Sequence, residues 1–143
     1  MLKQIVFLKK RSDMTQEQFM DYYENQHSQL AKRIGKPAIP NALRYVRRYI
    51  KLEKNPVTGE VLHPGYDCIM EIWWPSRDDF EHSQRLISDP ARLPHTIEDE
   101  NKLFASHANP VCSVVEYDSP TAPDNVVYDW VRVGPGEATE EGR

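Results

Sequence analysis

Residues 14–35, MTQEQFMDYYENQHSQLAKRIG, carry the pattern of an amphipathic helix with both ends marked. Thr15 is a residue type that caps helix N-termini, and Gln18 follows three residues later, which is the spacing of a capping box. Gly35 comes directly after the last apolar position, as a glycine that ends a helix does. The sequence therefore predicts a helix over residues 16–34.

One face of this helix is apolar, and it contains a histidine. At 100° per residue, seven side chains fall within about 120° of one another: Phe19, Met20, Tyr23, His27, Leu30, Ala31 and Ile34. Of these, only His27 titrates near neutral pH. Periodicity alone leaves two interpretations of His27 open: a general acid or base in an apolar pocket, or a core residue hydrogen-bonded to a backbone carbonyl.

Four other segments have the short apolar pattern of strands. They span residues 2–9, 42–52, 66–74 and 110–117. A second helix is predicted from Ser76 to about Asp89, and a further helical piece over roughly 94–105, where the run EDE is expected to be a solvated helix face. The order β-α-β-β-α-β predicts an α+β, ferredoxin-like fold with a four-stranded antiparallel sheet and helices on one face.

The third predicted strand, YDCIMEIWW at residues 66–74, is largely apolar or aromatic on both faces. Helices can cover only one face of such a sheet, so Ile69 and Trp73 on the other face need a second cover. We expect a second copy of the chain to supply it, which predicts a homodimer.

Composition limits the classes of partner and location. The 143 residues suit one domain, and a net charge of −4 gives no footprint for nucleic acid or an anionic membrane. No apolar run reaches the roughly 18 residues of a membrane span, and no signal-peptide pattern is present, so we expect a cytoplasmic protein. The histidine and cysteine spacings match no common metal motif, so neither a metal nor a cofactor is expected.

Several short motifs lie in a fixed order along residues 2–118, and each occurs once. They are Met14-Thr15 leading into Phe19, Tyr22, Tyr23 and His27; Arg44-Tyr45-Val46; Tyr66-Asp67 through Glu71-Ile72-Trp73; and Asp89-Pro90 with Glu98-Asp99-Glu100 before Phe104. In this order and spacing they resemble the EthD-like family, a branch of the dimeric α+β barrel proteins. The chain departs from many members in carrying Arg48 and Tyr49 where they have a second histidine.

The resemblance implies a homodimer with facing sheets, and a pocket in each subunit to which the first helix contributes a histidine, here His27. Similar proteins include cofactor-free decarboxylases, dehydratases, isomerases and cyclases that act on aromatic or polyketide-like molecules. We therefore expect a cofactor-independent enzyme that transfers a proton next to a carbonyl of a hydrophobic substrate. An oxygenase, cofactor-free or haem-dependent, and a non-catalytic ligand-binding protein are the alternatives.

Three residues are candidates for the catalytic roles in such an enzyme. His27 is predicted as the acid or base, Tyr45 as the donor that steadies the oxygen gaining charge, and Asp67 as the carboxylate that orients His27. Packing is the alternative for Tyr45, and an interface or ion-pair role for Asp67. The predicted substrate-binding residues are Phe7, Tyr23, Met70 and Trp73.

The last part of the chain has a different composition. The stretch SPTAPD is typical of a linker and GPGEATEEGR of a polar end, whereas VVYDWVRV at residues 126–133 is apolar. We predict one domain over residues 1–118 and a partly flexible extension over 119–143, whose apolar segment can dock as a strand or as an arm on the partner subunit.

Overall fold

The computed structural model describes residues 1–119 and the backbone of residues 131–133. The helices in this part of the chain are α1 (Gln16–Asn25), α2 (Leu30–Ile34), α3 (Arg77–Ser88) and α4 (Leu93–Glu100), with a 3₁₀ turn at His27–Gln29 between α1 and α2. The strands are β1 (Leu2–Leu8), β2 (Arg44–Tyr49), β3 (Cys68–Trp74), β4 (Val111–Ser113), β5 (Glu116–Asp118) and β6 (Val131–Val133).

The main sheet has the strand order β2-β3-β1-β4, and each pair of neighbours is antiparallel. Its two central strands, β1 and β3, pair along their whole length, from Leu2 opposite Trp74 to Leu8 opposite Cys68. This is the strand order that the β-α-β-β-α-β pattern of a ferredoxin-like fold produces. The predicted α+β class and four-stranded antiparallel sheet are confirmed.

The hydrophobic core lies between this sheet and the helices. Alternate residues of β1 and β3 face the helices because side chains along a strand alternate between its two faces. They are Leu2, Gln4, Val6, Leu8, Cys68, Met70, Ile72 and Trp74. Phe19 and Tyr23 of α1 pack with Val6, Leu8 and Cys68 in one buried cluster, which holds α1 against the sheet.

The opposite face of the sheet mixes apolar and charged groups. Ile5, Phe7, Ile69 and Trp73 are partly buried there. Glu71 accepts hydrogen bonds from Arg48 Nη1 at 2.5 Å and from Trp73 Nε1 at 2.6 Å. The apolar side chains on this face therefore lie beside a hydrogen-bonded group of Arg48, Glu71 and Trp73. The sequence pattern alone does not indicate this group.

The predicted first helix is interrupted within residues 16–34. α1 ends at Asn25, and Gln26 leaves helical geometry at φ −122° and ψ −61° before the 3₁₀ turn. Because α1 itself buries only Phe19 and Tyr23, the apolar stripe is narrower than predicted, and Met20 at its edge is 39% exposed.

Two predicted elements near the end of the domain are shorter than expected. The helical piece over 94–105 stops at Glu100, where His107 bonds to Glu100 Oε1 and Asn101 Oδ1, both at 3.0 Å. The fourth strand covers only Val111–Ser113, because the chain leaves the sheet there and β5 pairs with β6 instead.

Most of the apolar segment at 126–133 lies outside the described residues. Its last three residues form β6, which pairs antiparallel with β5 of the same chain. The domain boundary after residue 118 and the docking of the segment on a partner stay predictions. In the described part of the chain, no helix is both long and apolar enough to cross a membrane.

The capping box of α1 can be tested directly. Thr15 Oγ1 accepts from the Gln18 backbone N–H at 3.1 Å, and Gln18 Oε1 accepts from the Thr15 N–H at 2.9 Å. Thr15→Ala should lower the free energy of unfolding by about 1 kcal/mol, since the first helical turn then loses its side-chain acceptor. Thr15→Ser is the matched control and should stay close to wild type in urea unfolding. Equal stability of all three proteins would contradict this role.

Candidate functional site

A cavity of about 170 Å³ lies between the sheet and the helices. Its wall includes Gln4, Tyr23, His27, Tyr45, Met70 and Arg92. An apolar protein cavity of about 150 Å³ can hold benzene. The space therefore suits a ligand built on a single ring.

His27 is paired with a buried carboxylate beside this cavity. His27 Nδ1 lies 2.6 Å from Asp99 Oδ2, and the Asp99 side chain is only 4% exposed. The other oxygen, Asp99 Oδ1, accepts from Tyr22 Oη at 2.6 Å and lies 3.4 Å from Arg33 Nη2. Because an ionised carboxylate can only accept, Nδ1 must be the donor, and Nε2 of a neutral His27 then carries no proton.

The surroundings of Asp99 favour its ionised form. Burial alone would raise its pKa, but the hydrogen bonds from His27 and Tyr22, together with nearby positive charge, outweigh burial, and the pKa is lowered. Burial, followed by the hydrogen bond to Asp99, raises the pKa of Tyr22 to about 12. Tyr22 therefore remains a donor to Asp99 across the physiological pH range.

A pair of tyrosines forms another part of the cavity wall. The hydroxyl oxygens of Tyr23 and Tyr45 are 2.8 Å apart. Burial raises the pKa of both, and that of Tyr23 is well above its usual value. Both hydroxyl groups therefore stay protonated at neutral pH, and either can donate to the other. When Tyr23 is the donor, the Tyr45 hydroxyl proton is left for a ligand.

An ion pair holds Tyr45 in place from the side. The Arg47 guanidinium lies 4.5 Å from the Tyr45 ring centroid, and its Nη1 donates to the Tyr45 carbonyl at 3.1 Å. Glu24 accepts from Arg47 Nε at 3.0 Å and also from the Tyr49 hydroxyl. The hydrogen bond from Arg47 is the main cause of the lowered pKa of Glu24, so the pair stays charged at neutral pH.

The structure brings together four of the seven predicted site residues, namely His27, Tyr45, Tyr23 and Met70, in the wall of one cavity. Phe7 and Trp73 are not among its lining. The Phe7 ring packs 5.5 Å from Tyr66, and the Trp73 ring lies 4.0 Å from Lys3 Nζ. Strand parity explains the difference, because both lie on the sheet face opposite Met70.

Asp67 is not the carboxylate that contacts His27. Its Oδ2 accepts from the Lys10 N–H at 2.9 Å, and its Oδ1 lies 3.4 Å from His63 Nε2. Asp99 has the contact that was expected of Asp67, although the sequence pattern favoured a solvated face for residues 98–100. Asp99 is only 3% exposed.

A signal for Asp99 was present in the sequence. Thr96, Asp99 and Leu103 are spaced by three and four residues, as on one face of a helix, and all three are buried. The stripe formed by these three positions indicates a buried Asp99, whereas the acidic run alone indicates a solvated one.

Residues 1–119 contain no cluster of three or more histidine, cysteine and acidic side chains that could hold a metal ion. Cys68 is buried, and burial raises the pKa of its thiol to about 12, so it stays protonated. The proton-transferring and hydrogen-bonding groups at the cavity include His27, paired with Asp99, and the hydroxyl groups of Tyr23 and Tyr45.

Comparison with known proteins places most of this chain in one family. The sequence model described as EthD domain matches residues 11–107, which include His27, Tyr45 and Asp99. Among solved structures, the chain is similar to a dimeric ferredoxin-like protein from an uncultured marine organism, with 14% identity and a TM-score of 0.49. That match covers 80% of this chain and 91% of the other. No curated protein matches.

The charge on Asp99 should appear in the pH dependence of stability. Its pKa in the fold is below the ordinary value of 3.8, so ionised Asp99 contributes stability above that value and loses it as the pH falls further. When the pH is lowered from about 6 to about 2, the free energy of unfolding of Asp99→Asn should therefore fall less than that of the wild type. Urea unfolding across that range measures the difference.

Glu98→Gln is the matched control, because Glu98 lies beside Asp99 on α4 and is exposed. It should follow the wild-type acid profile. If Asp99→Asn and Glu98→Gln give the same profile as wild type, the ionised Asp99 contributes nothing to the fold.

Proposed function

Because this chain belongs to the EthD family, we propose that it is a cofactor-independent enzyme that transfers a proton on a small, carbonyl-bearing ring compound, with His27 as the base. The observation that carries the proposal is the 2.6 Å contact between His27 Nδ1 and the buried carboxylate of Asp99 at the cavity. A histidine held in this way keeps one orientation and one tautomer, as in catalytic histidine–aspartate pairs.

The first step is removal of a proton from the carbon next to the carbonyl group. His27 Nε2 takes the proton, and the electron pair of the broken C–H bond moves to the carbonyl oxygen as an enolate. Asp99 stabilises the imidazolium that forms. The Tyr45 hydroxyl donates a hydrogen bond to the enolate oxygen, where a donor in a dry site has its largest effect.

Return of the proton from His27 then decides the product. Delivery to a different carbon gives an isomerisation, and delivery to a departing hydroxyl group gives a dehydration. Gln4 adds to the polar groups of the cavity: its Oε1 accepts from Trp74 Nε1 at 2.8 Å, which leaves its N–H groups as further donors.

The size of the cavity supports a narrower class of substrate than the family as a whole. A volume of about 170 Å³ is close to that of cavities that admit benzene, whereas a multi-ring polyketide or a haem is several rings across. We therefore propose a single-ring substrate, and the dimensions do not favour the haem-dependent alternative.

A second copy of the chain is the proposed cover for the open face of the sheet. Ile5, Phe7, Ile69 and Trp73 lie on that face. Their partial burial leaves apolar surface that a partner subunit would remove from water. The charged groups around them supply the polar contacts that fix the register of such an interface.

The role of His27 can be tested with acetophenone, a single-ring ketone whose methyl protons exchange slowly with neutral water. In D₂O the wild type should accelerate deuterium uptake, measured by NMR. His27→Gln should lose about 10²–10⁴-fold of that rate, the usual contribution of a general base, with little change in melting temperature.

His82→Gln is the matched control, because His82 is exposed on α3, and it should exchange at the wild-type rate. If the wild type binds acetophenone without accelerating exchange, the protein is a ligand-binding protein. If His27→Gln keeps the rate, another residue is the base.

The dimer can be tested by sedimentation. The wild type should sediment at about twice 16.7 kDa at micromolar concentration. Ile69→Glu places a charge on the proposed interface and should shift the protein toward monomer, whereas Val57→Glu, at a residue that is 90% exposed, should not. A monomeric wild type would contradict the proposal.

A further inference from the structure

Arg92 is a buried cation in the wall of the same cavity, and the mechanism above does not use it. Arg92 as a whole is only 7% exposed to solvent. Its Nε donates to the Lys36 carbonyl at 3.1 Å, and its Nη1 donates to Thr96 Oγ1 at 2.5 Å. Both partners are neutral, so they orient the guanidinium without balancing its charge.

No carboxylate of residues 1–119 lies within ion-pair distance of Arg92. Burial lowers the pKa of Arg92, and the charge of Glu100, which also lines the cavity, partly opposes this. Glu100 forms no ion pair with the guanidinium, however, and its Oε1 lies 3.0 Å from His107 Nδ1. A guanidinium has five N–H donors; two of them have partners in the described part of the chain and three do not. Buried arginines are normally paired, because an unbalanced buried charge is costly.

The position of Arg92 relative to His27 follows from α4. Arg92, Thr96 and Asp99 are spaced by four and then three residues, which places them along one face of the helix. Seven residues correspond to roughly 10 Å along a helix axis. Arg92 Nη1 reaches Thr96, so the guanidinium lies closer to the Asp99–His27 contact than the Arg92 backbone does.

We propose that Arg92 binds a carboxylate on the substrate, so that the substrate is a single-ring keto acid. The planar guanidinium fork matches the two oxygens of a carboxylate, and the neutral contacts to Lys36 and Thr96 hold the fork ready for it. The ring lies in the cavity between the guanidinium and His27, with the carbonyl group toward Tyr45. The inference rests on the proposed function only for where the reacting carbon lies, which is beside His27.

The test compares binding of 3-acetylbenzoate, 3-acetylbenzamide and acetophenone by calorimetry. The wild type should bind 3-acetylbenzoate roughly 10–100-fold more tightly than the two neutral probes, the range for hydrogen bonds to a charged group. Arg92→Met should lose this preference while its affinity for acetophenone stays near wild type. Arg85→Met, at an exposed residue of α3, is the matched control and should keep the preference.

Arg92 also joins α4 to Lys36, so Arg92→Met can fail to fold. In that case the wild-type comparison decides, together with the Arg92 Nε–H NMR signal, which should shift with 3-acetylbenzoate and not with 3-acetylbenzamide. Equal affinity of the wild type for the charged and neutral probes would overturn the proposal, and would assign Arg92 to joining Lys36 and Thr96.

Binding and exchange separate the two proposals. Tighter binding of 3-acetylbenzoate without deuterium exchange would support the Arg92 site and contradict the enzymatic function. Deuterium exchange that depends on His27, without tighter binding of 3-acetylbenzoate, would support the enzymatic function and contradict the Arg92 site.

Discussion

The contact between His27 Nδ1 and Asp99 Oδ2, at 2.6 Å, joins the helical turn after α1 to α4, two elements that are 72 residues apart in the chain. It requires Asp99 to be buried and ionised together, and Tyr22 and Arg33 supply the groups that stabilise the buried charge. The same contact fixes the imidazole beside the cavity. The charge of Asp99 therefore contributes both to the stability of the fold and to the proposed chemistry.

The two polar systems around the cavity are built differently. At His27, a buried carboxylate is satisfied by a histidine, a tyrosine and an arginine. At Tyr45, the ion pair of Arg47 and Glu24 packs against the ring and the backbone carbonyl, and Tyr23 contacts the hydroxyl group. A base hydrogen-bonded to a carboxylate and a hydroxyl donor are the two groups that proton transfer next to a carbonyl requires.

The order of elements could be predicted from the sequence because it depends on local periodicity, and the long strands and the capping box of α1 are local signals. Three features could not be predicted, because contacts with distant residues determine them: the break at Gln26, the short β4 and the pairing of β5 with β6. His27 and Tyr45 could be proposed because one stands out in an apolar stripe and the other belongs to a family motif. Asp99 was missed because three acidic residues in a row look solvated when the helix face is not considered. Phe7 and Trp73 are aromatic residues of strands that line the cavity, but strand parity places both on the other face.

The tautomer of His27 tests the central claim most directly. Nitrogen-15 NMR of the imidazole, recorded at a pH where the ring is neutral, distinguishes a proton on Nδ1 from a proton on Nε2. The account predicts the Nδ1–H form, with its proton shared with Asp99 and Nε2 free to act as the base. A neutral ring protonated on Nε2 would show that Asp99 does not hold the base ready, and would contradict the account.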